Sequence, residues 1–500
     1  MKHIVLFGAG RSATVLIDYL KELANEIVCK VTVADADLKV VQDKVGDHPL
    51  VKPVAVNIEN VNERQQLIQE ADVVISLMPP ALHYLIAVDC LQFNKHLLTA
   101  SYVDEKIKAL EKEIAAKGLL FLCEMGLDPG IDHMSAMQLI NEIKKKGGTI
   151  TSFKSHCGGL VAPESDTNPW HYKISWNARN VVTAGKTGAL YRENDKVVSL
   201  GYVQLFDQNR IVQVDEDSVY AYYPNRDSLK YIDTYDLHEV STFVRTTLRH
   251  PEFCFGWKNI IDLMLTDEEK MYETDGMTLA DFFRQHFEKY GFGEWLSQML
   301  VSRLSYAKDM MEKLMALMEA EEQAEKQGAK APDEVMLVNE KGELNSVEVD
   351  DIKDQAAETV AVKMHEANLS MKQLFFLGMD DETTVINRGL CSAADVLQFI
   401  FETKLALQPE DKDLVVMLHE IEYTLEDQKH LIKSSLQVTG ENALHTAMAK
   451  TVGLPLGIAA KLILDEKIKL TGLHIPISAA IYEPVLKELE KHGIVFNEEV

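Results

Sequence analysis

In the segment HIVLFGAGRSATVLIDYL an apolar run breaks into Gly8-Ala9-Gly10 and then resumes with helical spacing. Glycines placed between a strand and a helix permit something that side chains would block. Gly8 can make the tight turn, Gly10 lets backbone approach a pyrophosphate with no Cβ in the way, and Ala13 lets the helix pack close to the strand. The N–H groups from Arg11 through Ser12 to Thr14 would then open a helix toward phosphates. The spacing therefore predicts a dinucleotide site built from Gly8, Gly10, Arg11, Ser12 and Ala13. About twenty residues further on, VTVADAD puts Asp35 where a carboxylate accepts from both ribose hydroxyls and repels a 2′-phosphate. No arginine adjoins it, which predicts NAD, with NADP as the alternative. The competing reading is that Asp35 only caps the next helix, as Asp37 might.

A second concentration of reactive side chains lies in CEMGLDPGIDHMSAMQLINEIKKKGG, where Glu124, Asp128, Asp132 and His133 follow directly on a strand pattern. That is the carboxyl edge at which α/β sheets bind ligands. The local signals place Asp128 at an N-cap and Pro129 at the first helical position, with Gly147 and Gly148 as the stop.

Stepping along the elements that must hold these groups, the first hundred residues alternate strand and helix: HIVLF, ATVLIDYLKELA, VCKVTVAD, ADVVISL, HLLTAS. Alternation of this kind predicts a parallel, doubly wound α/β sheet. From about residue 149 to 250 the pattern changes to strand-like runs joined by turn residues, a second domain on a mixed or antiparallel sheet. From about 255 to 440 it is mostly helical and acidic. There Met310, Met311, Leu314, Met315, Leu317 and Met318 form an apolar stripe suited to a core or a subunit contact, and EKQGAKAPDE reads as an exposed linker.

The net charge of −27 speaks against attraction to nucleic acid or an anionic membrane, because both need a basic face. Any anionic ligand must be met by local cations. The six cysteines (Cys29, Cys90, Cys123, Cys157, Cys254 and Cys391) are scattered singly, with no metal-ligand spacing, as in a reducing compartment. No metal site is expected, and the longest apolar stretch is interrupted by Pro79, Pro80, His83 and Asp89. A cytoplasmic protein is the expectation.

The motifs ISLMPP…H, TASYV, EMGLDPGIDH, HCGGLVAPESDTNPWHYKISW, YYPNRDS, TTLRH and AKTVGLPLGIAAKLILDEKIKLTGL occur in the order seen in saccharopine reductase, the glutamate-forming saccharopine dehydrogenase family, which the chain resembles over nearly its whole length. The resemblance is weakest between about 255 and 410, where the acidic segment looks like an enlarged helical region. It implies a Rossmann domain (1–130 and 445–500), a substrate-binding α+β domain whose sheet takes part in homodimer formation (131–255), and a mostly helical subdomain (256–444). It also implies an oxidoreductase of lysine metabolism that interconverts L-saccharopine with L-glutamate and 2-aminoadipate 6-semialdehyde, using a nicotinamide cofactor. The family's fungal members use NADP and carry an arginine where this chain has Ala36 beside Asp35, so the chain departs from the pattern there.

Position by position, the resemblance implies substrate binding by Ser101, Tyr102, Asp128, Arg226, Thr247, Leu248 and Arg249, and cofactor contacts by Ala100, Ser101, Asp128, Pro129 and Gly130. Three substrate carboxylates on so acidic a protein call for guanidinium groups, which grip carboxylates in bidentate fashion. For proton transfer the candidates near the matched motifs are Asp128 and Tyr102, then Cys157 and His156; Cys157 needs a lowered pKa to act. Two rivals remain. One is an imine reductase like carboxynorspermidine synthase, whose polyamine substrate calls for more acidic than basic partners; the other is a non-catalytic nucleotide-binding protein.

Overall fold

The computed structural model describes residues 1–207, 210–294, 334–338 and 344–499, with a few further positions between 297 and 319. The chain forms two compact units. The first comprises residues 1–167, 171–255 and 405–500, and the second 168–170 and 256–404.

The first unit opens with alternating strands and helices. Strands β1 (His3–Phe7), β2 (Lys30–Asp35), β3 (Val51–Ala55), β4 (Val73–Ser76), β5 (His96–Thr99) and β6 (Leu120–Leu122) are all parallel and lie in the order β6-β5-β4-β1-β2-β3. A C-terminal strand, Gly472–His474, pairs parallel to β6 and completes the sheet. Every residue of β1 and β4 is buried, as strands covered on both faces require. Helices α1 (Thr14–Glu26), α2 (Leu38–Val45), α3 (Val61–Glu70) and α4 (Pro80–Phe93) follow strands β1 to β4 in turn. The expected doubly wound Rossmann sheet is present, and the strand order reverses between β1 and β4, where such sheets leave a crevice. Gly8 makes the turn out of β1 with φ +103, and a Cβ there would lie 2.9 Å from the Leu77 carbonyl oxygen.

The loop after β6 departs from the expectation. Helix α5 spans Ile131–Lys145, and its N-cap is Gly130, not Asp128. The Gly126 N–H bonds the Pro129 carbonyl and the Ile131 N–H bonds the Gly126 carbonyl, so Asp128 and Pro129 belong to a closed turn ahead of the helix. Gly130 has φ +149, and a Cβ on it would fall 2.0 Å from the Gly126 oxygen. Asp128 is thereby released from capping and left available as a functional carboxylate.

A second sheet of mixed direction is the other half of this unit. Its centre is β7 (Thr149–Val161), flanked by the chain of β8 (Val219–Pro224) and β9 (Thr242–Arg249) on one side, and by β10 (Asp413–Leu425) with β11 (Gln428–Thr439) on the other. β9 runs parallel to β7, and β10 antiparallel to it. The helical segment expected over 256–444 is corrected here: residues 413–439 form a long hairpin of this sheet, with alternating buried positions along both strands. A short helix, α6 (Lys230–Tyr235), lies between β8 and β9. Helix α7 (Ala447–Leu464) is long and apolar enough to cross a membrane by length and composition, yet 78% of it is buried in the core of this unit.

The second unit carries the helices Leu279–Tyr290, Val349–Phe376 and Ala393–Lys404 and two short antiparallel ribbons. Of the apolar stripe, Met311, Met315 and Met318 are exposed, whereas Leu314 and Leu317 lie outside the described residues. So does the linker at 325–334, apart from Glu334, where a strand begins.

Replacing Gly130 by alanine forces both a left-handed backbone and a main-chain overlap. The expected cost is at least about 2 kcal/mol. It would be read as a lowered thermal midpoint, and an unchanged midpoint would contradict the turn described here.

Candidate active site

The strands and loops that carry the expected residues meet within the first unit. On β9, Arg245, Thr247 and Arg249 fall at alternate positions and so share one sheet face. Arg245 pairs in register with Ser155, and Thr247 with Cys157. One Nη of Arg245 donates to Asp128 Oδ1 and to Asp132 Oδ2, each at 2.5 Å. Its guanidinium stacks over Tyr231 with 4.5 Å to the ring centroid. Asp132 is further held by the Gly130 N–H at 2.6 Å. Burial pushes the Asp128 carboxyl above the ordinary range against the pull of Arg245. Burial opposes ionisation of Asp132 as well, but His133, Arg245 and the Gly130 N–H outweigh it and hold that carboxyl low.

Tyr102 donates to Asp128 Oδ1 at 3.4 Å, and Arg226 lies over the Tyr102 ring at 5.2 Å. Burial, with Asp128 nearby, keeps the Tyr102 hydroxyl protonated. Arg226 is exposed and holds φ +51, a conformation that costs a non-glycine residue about 1 kcal/mol. Glu124, also left-handed at φ +58, accepts from the Val103 N–H at 3.2 Å and bonds His133 Nε2 at 2.8 Å; His133 Nδ1 reaches the Tyr235 hydroxyl at 2.5 Å. This chain ties the Ser101–Asp104 loop to α5 and α6.

Arg249 is buried, at 3% exposure, against the paired rings of Tyr172 and Phe253, with 5.2 and 5.4 Å to their centroids. It donates to the Leu248 carbonyl at 2.7 Å, and its Nε has no acceptor. Among the described residues no carboxylate comes within ion-pair distance. A buried guanidinium without a counter-ion is costly, and a substrate carboxylate would supply the missing charge.

Cys157 lies where it feels Asp128, Asp132, Arg245 and Arg249, so it joins the two halves of the site. Burial and the two aspartates push its thiol well above the usual range, which removes it as a thiolate base. His156, one residue earlier, faces the other side of the sheet. Its nitrogens bond Thr246 Oγ1 at 2.7 Å and Glu420 Oε2 at 3.3 Å, away from Asp128. Thr247 is half-buried beside Tyr223, and Leu248 turns its buried side chain to the opposite face.

The residues around the glycine turn fit a dinucleotide. A Cβ on Gly10 would meet nothing within 4 Å, so the turn is open, and the 3-10 turn Arg11–Ala13 presents the amides of Arg11 and Ser12 with no acceptor among the described residues. Ala13 is buried, and Arg11 also reaches the Ile174 carbonyl at 3.4 Å. Asp35 is not the helix cap: Asp37 caps α2, while Asp35 Oδ2 accepts from the Ala9 N–H at 2.7 Å and braces the glycine turn. Ala100 packs against Gly126, so the loops bearing Ser101 and Pro129 are adjacent.

Residues 4–122 match the family model of the saccharopine dehydrogenase NADP binding domain, and residues 126–494 that of the saccharopine dehydrogenase C-terminal domain. The chain belongs to the saccharopine dehydrogenase family. It is 27% identical over 501 residues to the saccharopine dehydrogenase [NADP(+), L-glutamate-forming] of Schizosaccharomyces pombe, covering 100% of this chain and 99% of that one. It is 31% identical to alpha-aminoadipic semialdehyde synthase of Arabidopsis thaliana over 99% of this chain, which spans only 44% of that longer relative. The apo saccharopine dehydrogenase (L-Glu forming) structure of Saccharomyces cerevisiae superposes with a TM-score of 0.75 at 26% identity, covering 100% of this chain and 99% of that chain. As a saccharopine dehydrogenase family member the chain has a Rossmann domain of the type that binds a nicotinamide dinucleotide.

Arg245 was not expected. The alternation Arg245, Thr247, Arg249 within a strand-like run was the available signal, since the matched motif TTLRH begins one residue after it. Tyr231 and Tyr235, four apart on a short helix, carried no such cue.

Replacing Arg245 by methionine would strand two buried carboxylates. The expected loss of stability at pH 7 is about 3–5 kcal/mol. Without the guanidinium both carboxyls take up protons more readily, so the gap to wild type narrows as pH falls from 7 to 5. Denaturant unfolding at the two pH values checks this, and a gap independent of pH would contradict the charge assignment.

Proposed function

We propose that this protein interconverts L-saccharopine with L-glutamate and 2-aminoadipate 6-semialdehyde by hydride transfer to or from a nicotinamide dinucleotide, in lysine metabolism. The observation that carries the reading is Arg249: a buried guanidinium with no counter-ion among the described residues, on the same sheet face as the Arg245–Asp128 pair.

Arg249 and Arg226 bind substrate carboxylates, with Thr247 and the Leu248 backbone beside them; Ser101 and Tyr102 approach from the Rossmann side. When bound, the nicotinamide supplies a hydride acceptor for the carbon that bears the secondary amine. Asp128, whose carboxylate Arg245 stabilises against its burial, accepts the proton that the amine must lose. Water then adds to the imine carbon, and the carbinolamine so formed breaks its C–N bond to release an amine and an aldehyde. Asp128, having passed the amine's proton to solvent, takes a proton from water, returns it to the departing nitrogen and accepts the hydroxyl proton as the aldehyde forms, and Tyr102 donates a hydrogen bond that keeps the carboxylate aimed. Cys157 lines the site as a neutral thiol. Much of the rate comes from orientation, because Asp128 is held by Arg245 and Tyr102, and Ser101 by His83.

The matching domain and the fungal relative carry NADP in their names. The residues that would meet a 2′-phosphate here are Asp35, Ala36 and Asp37, two carboxylates and no guanidinium. Lys44, held on the Gly10 carbonyl at 2.6 Å, is the cation beside that edge. These charges support NAD as the preferred cofactor. A homodimer formed through the mixed sheet belongs to the same reading. A polyamine substrate is disfavoured, since it would add positive charge beside Arg249.

Purified protein given saccharopine should reduce NAD faster than NADP, followed by absorbance of the reduced nicotinamide. NADP-only turnover would overturn the Asp35 reading alone, and no turnover with either would overturn the reaction. Arg249→Ala should raise the saccharopine KM about 100-fold while leaving cofactor affinity intact. Equal loss of both affinities would remove Arg249 from the substrate site.

A further inference from the structure

His83 sits in the first turn of α4, beneath the loop that follows β5, and it is buried at 3% exposure. Its Nδ1 lies 2.8 Å from Ser76 Oγ, at the carboxyl end of β4, and its Nε2 lies 2.7 Å from Ser101 Oγ, two residues beyond the end of β5. Thr99 Oγ1 touches the ring edge at 3.4 and 3.5 Å and also accepts from the Ser101 N–H at 3.2 Å. The imidazole therefore spans the carboxyl ends of two adjacent strands, and it does so in the half of the sheet on the far side of the switch point from Asp35. In a doubly wound dinucleotide domain that half receives the second nucleotide, the one bearing the nicotinamide.

We propose that His83 is a positioning residue: a neutral, two-ended clamp that fixes the Ser101 hydroxyl at the nicotinamide end of the site. A neutral imidazole has one donor and one acceptor nitrogen, so each serine hydroxyl is given a fixed role and Ser101 keeps one direction for bonding outward. Ser76 is fully buried, so the chain ends there and does not lead to solvent. The device holds; it does not conduct protons. Burial pushes the imidazole down to about 4, with Asp104 opposing only weakly. The clamp thus stays uncharged beside a ring that is cationic when oxidised, where an imidazolium would repel it. This inference rests on the functional reading above for the role of Ser101.

Two side chains separate the two ends of the clamp. Glutamine at 83 places a polar atom near the Nε2 position and keeps the Ser101 bond, whereas asparagine reaches only the Nδ1 position and keeps the Ser76 bond. His83→Asn should lower kcat about tenfold, the effect of a lost hydrogen bond, and His83→Gln should lower it less than about threefold. Cofactor affinity, from quenching of protein fluorescence, should change in neither. In a Ser101→Ala background His83→Asn should cause no further loss. Equal losses in the two variants that follow their thermal midpoints, or additive losses with Ser101→Ala, would overturn the clamp. If wild type binds cofactor but does not turn over saccharopine, the functional reading falls by itself. The clamp is then decided by histidine-ring 15N spectra, in which Ser101→Ala must shift the His83 Nε2 signal; an unmoved signal overturns it.

Discussion

The salt link from Arg245 to Asp128 and Asp132 is the constraint on which the site depends. One guanidinium from the mixed sheet engages a carboxylate in the turn ahead of α5 and another in the first turn of α5. Ion pairs this deep add little net stability, because removing both charges from water offsets most of their attraction. What they fix is geometry. Arg245 offsets part of the cost that burial puts on the Asp128 carboxylate, and Tyr102 and the loop around it have a defined partner. The His133–Glu124–Val103 bonds hold the same loop from its other side.

The two arginines of β9 divide the electrostatic work. Arg245 is more than neutralised by two aspartates, and Arg249, four residues later on the same face, has none. In an acidic protein, a buried cation that pairs with no carboxylate among the described residues, on the same sheet face as the Arg245–Asp128 link, is the arrangement that the proposed substrate carboxylate and amine call for. Neither a nucleotide-binding scaffold without chemistry nor a polyamine site calls for that distribution.

Much of this was legible in the sequence. The glycine turn, the strand–helix alternation and the carboxylates around residue 128 were visible because each depends on local spacing, and the family motifs pointed to residues of β9, of the Ser101 loop and of the turn at Asp128, which the structure brings together. What spacing could not show is what depends on tertiary register. Asp128 looked like a helix cap because Asp-Pro before an apolar run usually is one; Gly130 and the closed turn displaced it. Residues 413–439 looked helical in company, yet pair with β7 from more than two hundred residues away in sequence. Arg245, His83, Tyr231 and Tyr235 take their places through partners that no local window contains, and His156 and Cys157 were separated by nothing more than the two-residue period of a strand.

The most direct test is to compare wild type with Arg249→Met by thermal unfolding, with and without saccharopine in the presence of the nicotinamide cofactor. If Arg249 is a buried charge awaiting the substrate carboxylate, the methionine variant unfolds at the same or a higher temperature than wild type when substrate is absent, and saccharopine raises the midpoint of wild type only. A variant that is less stable alone and still gains as much from saccharopine as wild type would contradict the account.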